Sequence, residues 1–525
     1  MLGTALIVAI LAGFITIEYI AFGQFGFSNP LVSASLVGLV LGDLQTGITV
    51  GITLQLIWMG IVGIGAAVPP DVVTGAILAS AFAILTGEGA EIALAIAVPV
   101  AIAAQTLDIF VRTLQTGLIH WADRLTERGN YKAIERVHLL GLPITFLRSF
   151  IVVFPAIYFG VDSVKAFIST IPQVVIHGLE VAGGMLPALG FGMLLNMIGA
   201  SFLLPYFFIG FALATFLDVS LIGVAVIGAS AAFLHDYFCR RSMDYDEVDT
   251  PQAEAEDYQR ILTRQDLLTL FRRTFLLQTS WNFERMQALG YCYIVLPVLR
   301  KLYKDNSDGL QAAVKRNLEF FNTQPYMASA IIGTAVAAEE RLAIREDIEP
   351  GSISAIKLAT MGPFAGIGDS LFWMTIRPIC LGIGIAVAEG GNILGPILFL
   401  ILFNIFHIWT RYVPLVEGYK LGTNFLTAVQ SKGILQRITE AASVLGLMVL
   451  GVMVATMVNF NTTLVLNIGQ SQVALQEVLD QILPNMLPLA LTFVCFKLLS
   501  RGKSATKILF GILVFGILGS LIGLF

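Results

Sequence analysis

Polar side chains interrupt the long apolar runs of this sequence at a few places, and these side chains are the first candidates for chemistry. Gln55 lies in GITLQLIWMG, Asp71 follows two prolines, and Asp369 follows GPFAGIG. A polar side chain inside an apolar run is costly unless it is paired or lines water. An amide both donates and accepts hydrogen bonds, whereas a carboxylate accepts them. All three are therefore candidates for holding a neutral, hydroxyl-rich molecule.

Each of these three residues also has a structural interpretation. Gln55 could form a hydrogen bond between helices, and Asp71 could cap a helix that begins at VVTGAILAS. Asp369 has the same ambiguity. One carboxylate can cap a helix and bind a ligand at once, so both roles stay open.

A second group of polar candidates lies in the C-terminal half. Asn282 and Glu284 lie in QTSWNFERMQALGYCY, Asn322 in LEFFNTQP and Lys357 in AIKLATMG. Asn322, ahead of Thr-Gln-Pro, is also typical of a turn, and Lys357 could pair with a carboxylate or contact a phosphate. Carboxylates, amides and aromatic faces suit sugar binding, but they equally suit any polar channel. Residue types alone do not name the substrate.

The composition indicates what kind of protein positions these side chains. Of 525 residues, 56% are hydrophobic and 13% are charged, with a net charge of −5, whereas an average soluble protein has about 25% charged residues. These values exclude a disordered chain, and the missing basic surplus argues against a nucleic-acid partner. A soluble enzyme would need more polar surface. The sequence therefore predicts an all-α polytopic integral membrane protein embedded in a lipid bilayer.

Motifs for catalysis or cofactor binding are missing from the sequence. It contains no GxxxxGK[ST] phosphate loop, no HExxH and no CxxC, and its five histidines are scattered along the chain. We expect no catalytic residue, no metal site, no cofactor and no phosphohistidine in this chain. A partner would have to supply any chemistry. We interpret the N-terminal apolar run as a membrane segment and not as a signal peptide.

The distribution of polar residues divides the chain into two modules. We predict a membrane domain at 1–240, an acidic linker at 241–260 and a second membrane domain at 261–525. The polar first part of the second domain, about 261–350, is predicted to form amphipathic helices at the cytoplasmic side of the membrane. The basic block 112–148 should face the cytoplasm as well.

Two glycine-rich stretches at corresponding places indicate that the modules are related. WMGIVGIG at 58–65 and TMGPFAGIG at 360–368 are each followed by an aspartate. Paired hydrophobic segments broken by glycine and proline point to the binding site of a transporter, and glycine permits the tight turn of a re-entrant hairpin. We therefore predict two re-entrant hairpins that meet around the binding site.

Longer segments of the sequence resemble a known family. GITLQLIWMGIVGIGAAVPPD and VAGGMLPALGFGMLLNM resemble the IIC component of the mannose–fructose–sorbose group of the bacterial phosphoenolpyruvate-dependent sugar phosphotransferase system. QTSWNFERMQALGYCY, LEFFNTQP, AIKLATMGPFAGIGD and LFNIFHIWTRY resemble its IID component. The two components are usually separate polypeptides, so the chain resembles a natural or engineered fusion.

The resemblance implies a multi-pass permease of the bacterial inner membrane, specific for a hexose or amino sugar of the mannose, glucose, fructose or sorbose class. A IIB protein that has received its phosphoryl group from IIA would phosphorylate the sugar at the cytoplasmic face. We expect IIB to dock at 112–148 and 263–350. The resemblance also implies a homotrimer with the sugar between the two components. The expected substrate-binding residues are Gln55, Asp71, Asn282, Glu284, Asn322, Lys357 and Asp369. An ion-coupled secondary sugar transporter is the alternative that composition leaves open.

Overall fold

The computed structural model describes residues 1–62, 68–87, 90–168, 172–198, 201–242, 260–345, 348–422, 434–468 and 471–525. Within these ranges the chain is almost entirely helical, because a helix satisfies its backbone polar groups within the segment. The helices of the N-terminal half are α1 Leu2–Thr16, α2 Pro30–Leu41, α3 Leu44–Trp58, α4 Val72–Thr86, α5 Ala90–Glu127, α6 Tyr131–Leu139, α7 Gly141–Ile168, α8 Gln173–Met185, α9 Pro187–Ile198, α10 Leu204–Leu217 and α11 Leu221–Ser242.

The C-terminal half contains a second series of helices and one short pair of strands. Its elements are α12 Arg264–Thr274, α13 Ala288–Leu302, α14 Ser307–Asn317, α15 Ala328–Arg345, α16 Pro350–Gly368, α17 Arg377–Ala388, α18 Leu394–Leu421, α19 Ile434–Met457, β1 Val465–Ile468, β2 Ser471–Ala474, α20 Leu475–Ile482, α21 Met486–Ser500 and α22 Ala505–Leu521. The strands β1 and β2 pair antiparallel, with Val465 opposite Ala474. This hairpin is a small departure from the predicted all-α fold. A π-helix at Ile17–Ala21 extends α1, and another at Asp369–Ile376 joins α16 to α17.

The predicted polytopic membrane fold is confirmed. Eight helical stretches in the described part of the chain are long and apolar enough to cross a membrane. A ninth candidate is the pair α20 and α21, which is bent by 79° at its break. Such a bend belongs either to a broken span or to a re-entrant loop.

The two predicted glycine-rich hairpins have different outcomes. The stretch 360–368 lies inside α16, and Pro350–Ala388 forms one continuous helical stretch of 39 residues. The hairpin predicted at this motif is therefore not present in the described backbone, because the helix absorbs the glycines and continues through a π-helical segment. In the first module α3 ends at Trp58, and most of the following glycine-rich turn lies outside the described residues. The hairpin there stays a prediction.

Helices of the two halves pack directly against each other. α10 and α11 contact α19, and α8 contacts α22. A Cβ built on Gly210 of α10 would overlap the Met448 carbonyl oxygen of α19, so glycine permits this close helix pair. Phe207 and Met453 belong to the same buried apolar cluster. The N-terminal and C-terminal halves thus share one core.

The region predicted as an amphipathic layer at 261–350 is helical, but much of it is packed inside the protein. α13 is buried along most of its length, and α15 packs against α18. The predicted linker is described only at its ends, where α11 reaches Ser242 and the chain is described again from Arg260. Residues 243–259 lie outside the described part of the chain.

Candidate functional site

A cavity of about 350 Å³ lies between the two halves of the chain, a volume typical of sites for small molecules. The N-terminal half lines it with Tyr19, Ile20, Gln24, Ser28, Ile61, Val62, Pro69, Val72 and Arg112. The C-terminal half lines it with Gln278, Trp281, Gln287, Asn322, Thr323, Gln324, Pro325, Ala365, Gly366, Asp369, Trp373 and Arg377. Neither half forms this cavity alone.

A buried carboxylate shapes the loop that brings the first half to the cavity. The two oxygens of Glu18 accept hydrogen bonds from the backbone amides of Gly26 and Ser28, at 2.8 and 3.1 Å. Within this loop Gln24 has φ of 59°, a left-handed conformation that is unusual outside glycine. The Tyr326 hydroxyl donates to the Gln24 carbonyl at 3.0 Å, and burial raises the pKa of Tyr326, so this donor stays protonated. The loop is thus held from both halves.

Two glutamines of the cavity wall each leave one polar atom without a protein partner. Gln24 donates from Nε2 to Oε1 of Gln278 at 3.0 Å, and its own Oε1 has no partner among the described residues. Gln324 accepts at Oε1 from the backbone amides of Tyr326 and Met327, and its Nε2 is equally unpartnered in the part of the chain that the structure describes. Buried polar atoms are nearly always hydrogen-bonded, so this acceptor and this donor are exceptions in the wall of the cavity.

Aromatic and charged groups complete the wall. Trp281 and Trp373 present indole rings to the cavity, and each carries a guanidinium group over its face. Arg112 lies 4.8 Å from the ring centre of Trp281, and Arg377 lies 5.6 Å from that of Trp373. Indole faces suit the C–H surfaces of a sugar ring, whereas amides and charges suit its hydroxyls.

Two of the predicted substrate-binding residues line this cavity. Asn322 lies at the start of the turn that leads to Gln324, and Asp369 begins the π-helix between α16 and α17. Trp373 lies within hydrogen-bonding reach of the Asp369 carboxyl. The Asn–Thr–Gln–Pro turn and the aspartate after the glycine-rich motif therefore meet at one site.

The two predicted residues of the first half are placed elsewhere. Gln55 is fully buried, and its Oε1 lies 3.4 Å from the Leu31 backbone amide. Asp71 caps α4, accepting from the Thr74 amide and hydroxyl at 3.1 and 2.8 Å. It also pairs with Arg148 at 3.1 Å. The structural interpretations account for these contacts, while a role of either residue in substrate binding stays a prediction.

Arg148 and Arg112 also correct the interpretation of the basic block 112–148. Both Asp71 and Asp108 contact the Arg148 guanidinium, which is almost fully buried. Arg112 lines the cavity. The two ends of the block therefore belong to the protein interior and not to a cytoplasmic surface, because buried carboxylates neutralise them.

Three predicted residues of the second half also lie away from the cavity. The buried Asn282 accepts at Oδ1 from the backbone amides of Glu284 and Arg285, which makes it a turn-forming residue. Glu284 contacts His120 of the first half at a partly exposed position, with Oε2 2.8 Å from Nε2. Lys357 donates to the Arg316 carbonyl at 2.7 Å and lies over the Tyr291 ring. These contacts stabilise the protein around the site.

Sequence reasoning did not select the glutamines, tryptophans and arginines of the wall. Arg377 had a clear signal, since a charged residue inside an apolar run marks a functional candidate. Gln24 and Gln324 had none, because their unpartnered atoms depend on the fold. In the described ranges, no group of three or more histidine, cysteine, aspartate or glutamate side chains could hold a metal ion.

Comparison with known proteins places the two halves in two related families. Residues 261–525 match the family described as PTS system mannose/fructose/sorbose family IID component. Residues 2–234 match the family described as PTS system sorbose-specific IIC component.

Individual relatives match one half or the other. The mannose-specific EIID component of Escherichia coli K12 is 42% identical over 283 residues, which cover 53% of this chain and 99% of the relative. The fructose permease IID component of Bacillus subtilis 168 is 40% identical, over 49% of this chain and 95% of the relative. The mannose-specific EIIC component of E. coli K12 is 37% identical, over 44% of this chain and 86% of the relative. A solved structure of the mannose transporter ManYZ with microcin E492 shares 42% identity, covering 51% of this chain and 99% of that chain, with a TM-score of 0.31.

Proposed function

The chain belongs to the mannose/fructose/sorbose family of phosphotransferase-system permeases, with an IIC component in its N-terminal half and an IID component in its C-terminal half. From this membership we propose that it translocates a hexose or an amino sugar, which a partner IIB protein phosphorylates. Relatives of both halves are named for mannose, and relatives of the IID half also for fructose and sorbose. The proposed substrate is a sugar of this class.

The cavity between the halves is the proposed sugar site. The observation that carries this proposal is the unpartnered Oε1 of Gln24 and Nε2 of Gln324, one contributed by each half. Sugar hydroxyls donate and accept hydrogen bonds, so a sugar carries a partner for each of these atoms. Asn322 and Asp369 add further hydrogen-bonding groups, and Trp281 adds an apolar face.

The phosphoryl donor is proposed to be a phosphohistidine of IIB. In the transfer, the P–N bond of the phosphohistidine breaks, a P–O bond to a sugar hydroxyl forms, and the hydroxyl proton ends on the imidazole nitrogen that the phosphoryl group has left. Two histidines of this chain are engaged structurally. His138 contacts the Ser280 hydroxyl and the Leu276 carbonyl, at 2.7 and 2.8 Å, and His407 is buried beside Arg411. These contacts support a donor that lies on another protein.

Family membership also supports a proposal for the cellular location and the oligomeric state of the chain. The chain would reside in the bacterial inner membrane as a homotrimer and receive IIB, charged by IIA, at the cytoplasmic face. The mass of the purified protein in nanodiscs, corrected for lipid, tests the trimer: a mass of one chain would exclude it.

The decisive experiment separates phosphorylation-coupled uptake from ion-coupled transport. Inverted and right-side-out vesicles that contain the chain receive labelled mannose, with and without phosphoenolpyruvate, enzyme I, the histidine phosphocarrier protein, IIA and IIB. We expect labelled sugar phosphate only when the complete phosphoryl chain is present. Accumulation of unmodified sugar driven by an ion gradient, without a phosphoryl donor, would instead establish a secondary transporter. Vesicles without the chain are the control.

A further inference from the structure

Two arginines from different halves of the chain line the proposed sugar cavity. Arg112 lies on α5 of the first half, and Arg377 begins α17 of the second. Tyr19, another residue of the cavity wall, lies within electrostatic range of both guanidinium groups. A neutral sugar does not require two cations, so two guanidinium groups in the wall favour a ligand with negative charge.

Each of these guanidinium groups forms its hydrogen bond to the protein through Nε. Nε of Arg112 donates to Asp108 at 3.0 Å, and Nε of Arg377 donates to Oδ1 of Asn29 at 2.8 Å. In the described part of the chain, neither arginine has a hydrogen-bond partner at Nη1 or Nη2. Each is also supported by an indole face. The two groups are therefore oriented, while their terminal donors remain available.

Two other arginines of the protein each donate two hydrogen bonds to one carboxylate. Arg285 holds both oxygens of Asp123 with its terminal nitrogens, at 2.9 and 2.8 Å. Arg437 holds both oxygens of Asp236, at 2.6 and 2.7 Å. Paired N–H donors of this kind match the oxygens of a carboxylate or a phosphate. Arg112 and Arg377 have the same N–H donors, but in the described part of the chain no carboxylate accepts two hydrogen bonds from either of them.

The carboxylates near the cavity do not occupy the terminal nitrogens of Arg112 and Arg377 in the described part of the chain. Asp108 is shared, since it contacts Arg148 at 2.5 Å as well as Arg112. Asp369 lines the cavity too, but among the described residues no ion pair joins it to Arg112 or Arg377.

We propose that Arg112 and Arg377 form a phosphate-ester subsite, so that the cavity binds the phosphorylated form of its sugar through the phosphoryl oxygens. This inference rests on the proposed function, because it places the phosphoryl group on the sugar held by the same cavity. Preorganised cationic donors stabilise negative charge most where water is excluded. The subsite would hold the charge that phosphorylation adds to a neutral sugar.

Binding measurements on the full chain in nanodiscs test this subsite. Tryptophan fluorescence is the readout, because Trp281 and Trp373 contact the two arginines, and the titrants are mannose, mannose 6-phosphate and inorganic phosphate. We expect Arg112→Lys and Arg377→Lys each to weaken mannose 6-phosphate binding by about tenfold or more, since lysine lacks the guanidinium geometry. Mannose binding should weaken far less than mannose 6-phosphate binding in both variants. Arg128→Lys, at an exposed position, is the matched control.

The outcomes separate this inference from the function on which it rests. Binding of mannose without binding of mannose 6-phosphate would overturn the subsite and leave the sugar site standing. Equal weakening of both sugars in the lysine variants would assign the arginines a purely structural role. Inorganic phosphate binding as tightly as the sugar phosphate would show an anion site without sugar recognition, and so would also overturn the proposal. If neither sugar binds, the proposed sugar site itself fails. Arg112→Lys keeps a positive charge beside Asp108, which protects the fold.

Discussion

Arg411 donates a hydrogen bond from Nε to Nε2 of His407 over 2.7 Å, within one turn of α18. His407 Nε2 is thus an acceptor, so its ring proton lies on Nδ1, 3.1 Å from Oδ1 of Asn404. A buried, neutral imidazole with both nitrogens engaged is a poor phosphoryl acceptor. Arg411 also donates to the carbonyls of Gly23 and Thr274, at 3.2 and 2.7 Å, and so connects the two halves.

We predict that Arg411→Met destabilises the protein by about 3 kcal/mol or more, because the Gly23 and Thr274 carbonyls and the His407 ring lose their donor inside the protein. The midpoint of thermal unfolding in detergent measures this loss. Arg128→Met, at an exposed position, should leave the midpoint unchanged. Equal midpoints for both variants would show that the Arg411 contacts contribute no net stability.

The two aspartates that follow the glycine-rich motifs should differ when each is changed to alanine. Asp369→Ala removes a carboxylate of the cavity wall, so we expect sugar uptake to be lost while the unfolding midpoint stays near that of the parent chain. Asp71→Ala removes the cap of α4 and one partner of the buried Arg148, which should cost about 3 kcal/mol of stability. Uptake assays and thermal unfolding, run on the same preparations, distinguish the two. Normal uptake in Asp369→Ala would remove that residue from the site.

Gln324 offers a substitution that separates its two roles. Gln324→Glu keeps Oε1, which accepts from the Tyr326 and Met327 amides, and replaces the unpartnered Nε2 donor with an oxygen. We expect the apparent KM for sugar uptake to rise by about tenfold, the usual effect of losing one hydrogen bond to a ligand. Initial uptake rates over a range of mannose concentrations give the KM. Gln311→Glu, which lies outside the cavity lining, is the control, and an unchanged KM in Gln324→Glu would argue against ligand contact.

Separation of the chain near Thr250 should leave most of the uptake intact when both parts are produced together. The halves are joined by contacts besides the linker, among them Arg377 with Asn29, Asn404 with the Phe25 carbonyl, and Thr279 with the Ala21 carbonyl. Relatives of each half are themselves individual components. Co-purification through a tag on one part, together with uptake in cells, tests this expectation. Loss of uptake while both parts stay associated would give the linker a function beyond tethering.

Composition was enough to predict a helical membrane protein. A chain with so few charges exposes apolar surface that suits lipid, and in lipid a helix satisfies its own backbone polar groups. The glycine-rich stretch 360–368 shows where pattern reasoning fails. Glycine permits a break but does not require one, and Pro350–Ala388 remains one helical stretch. Whether a permissive sequence bends is decided by tertiary contacts that the local residues do not encode.

Only some of the predicted site residues line the cavity, for a related physical reason. Asn322 and Asp369 carry polar groups in segments with a recognisable motif, and both line the cavity. Asp71 and Asn282 carry the same chemistry, yet the fold uses them as caps. A sequence shows which side chains can form hydrogen bonds, but it does not show which of them already have a partner. The roles of Gln24 and Gln324 therefore emerged only from the folded chain.

Because residues of both halves line the cavity, the two halves are needed in equal numbers. A half produced in excess would present an incomplete wall, because both halves line the cavity. Translating both halves as one polypeptide fixes their ratio at synthesis, so every copy that reaches the bilayer carries a matching counterpart.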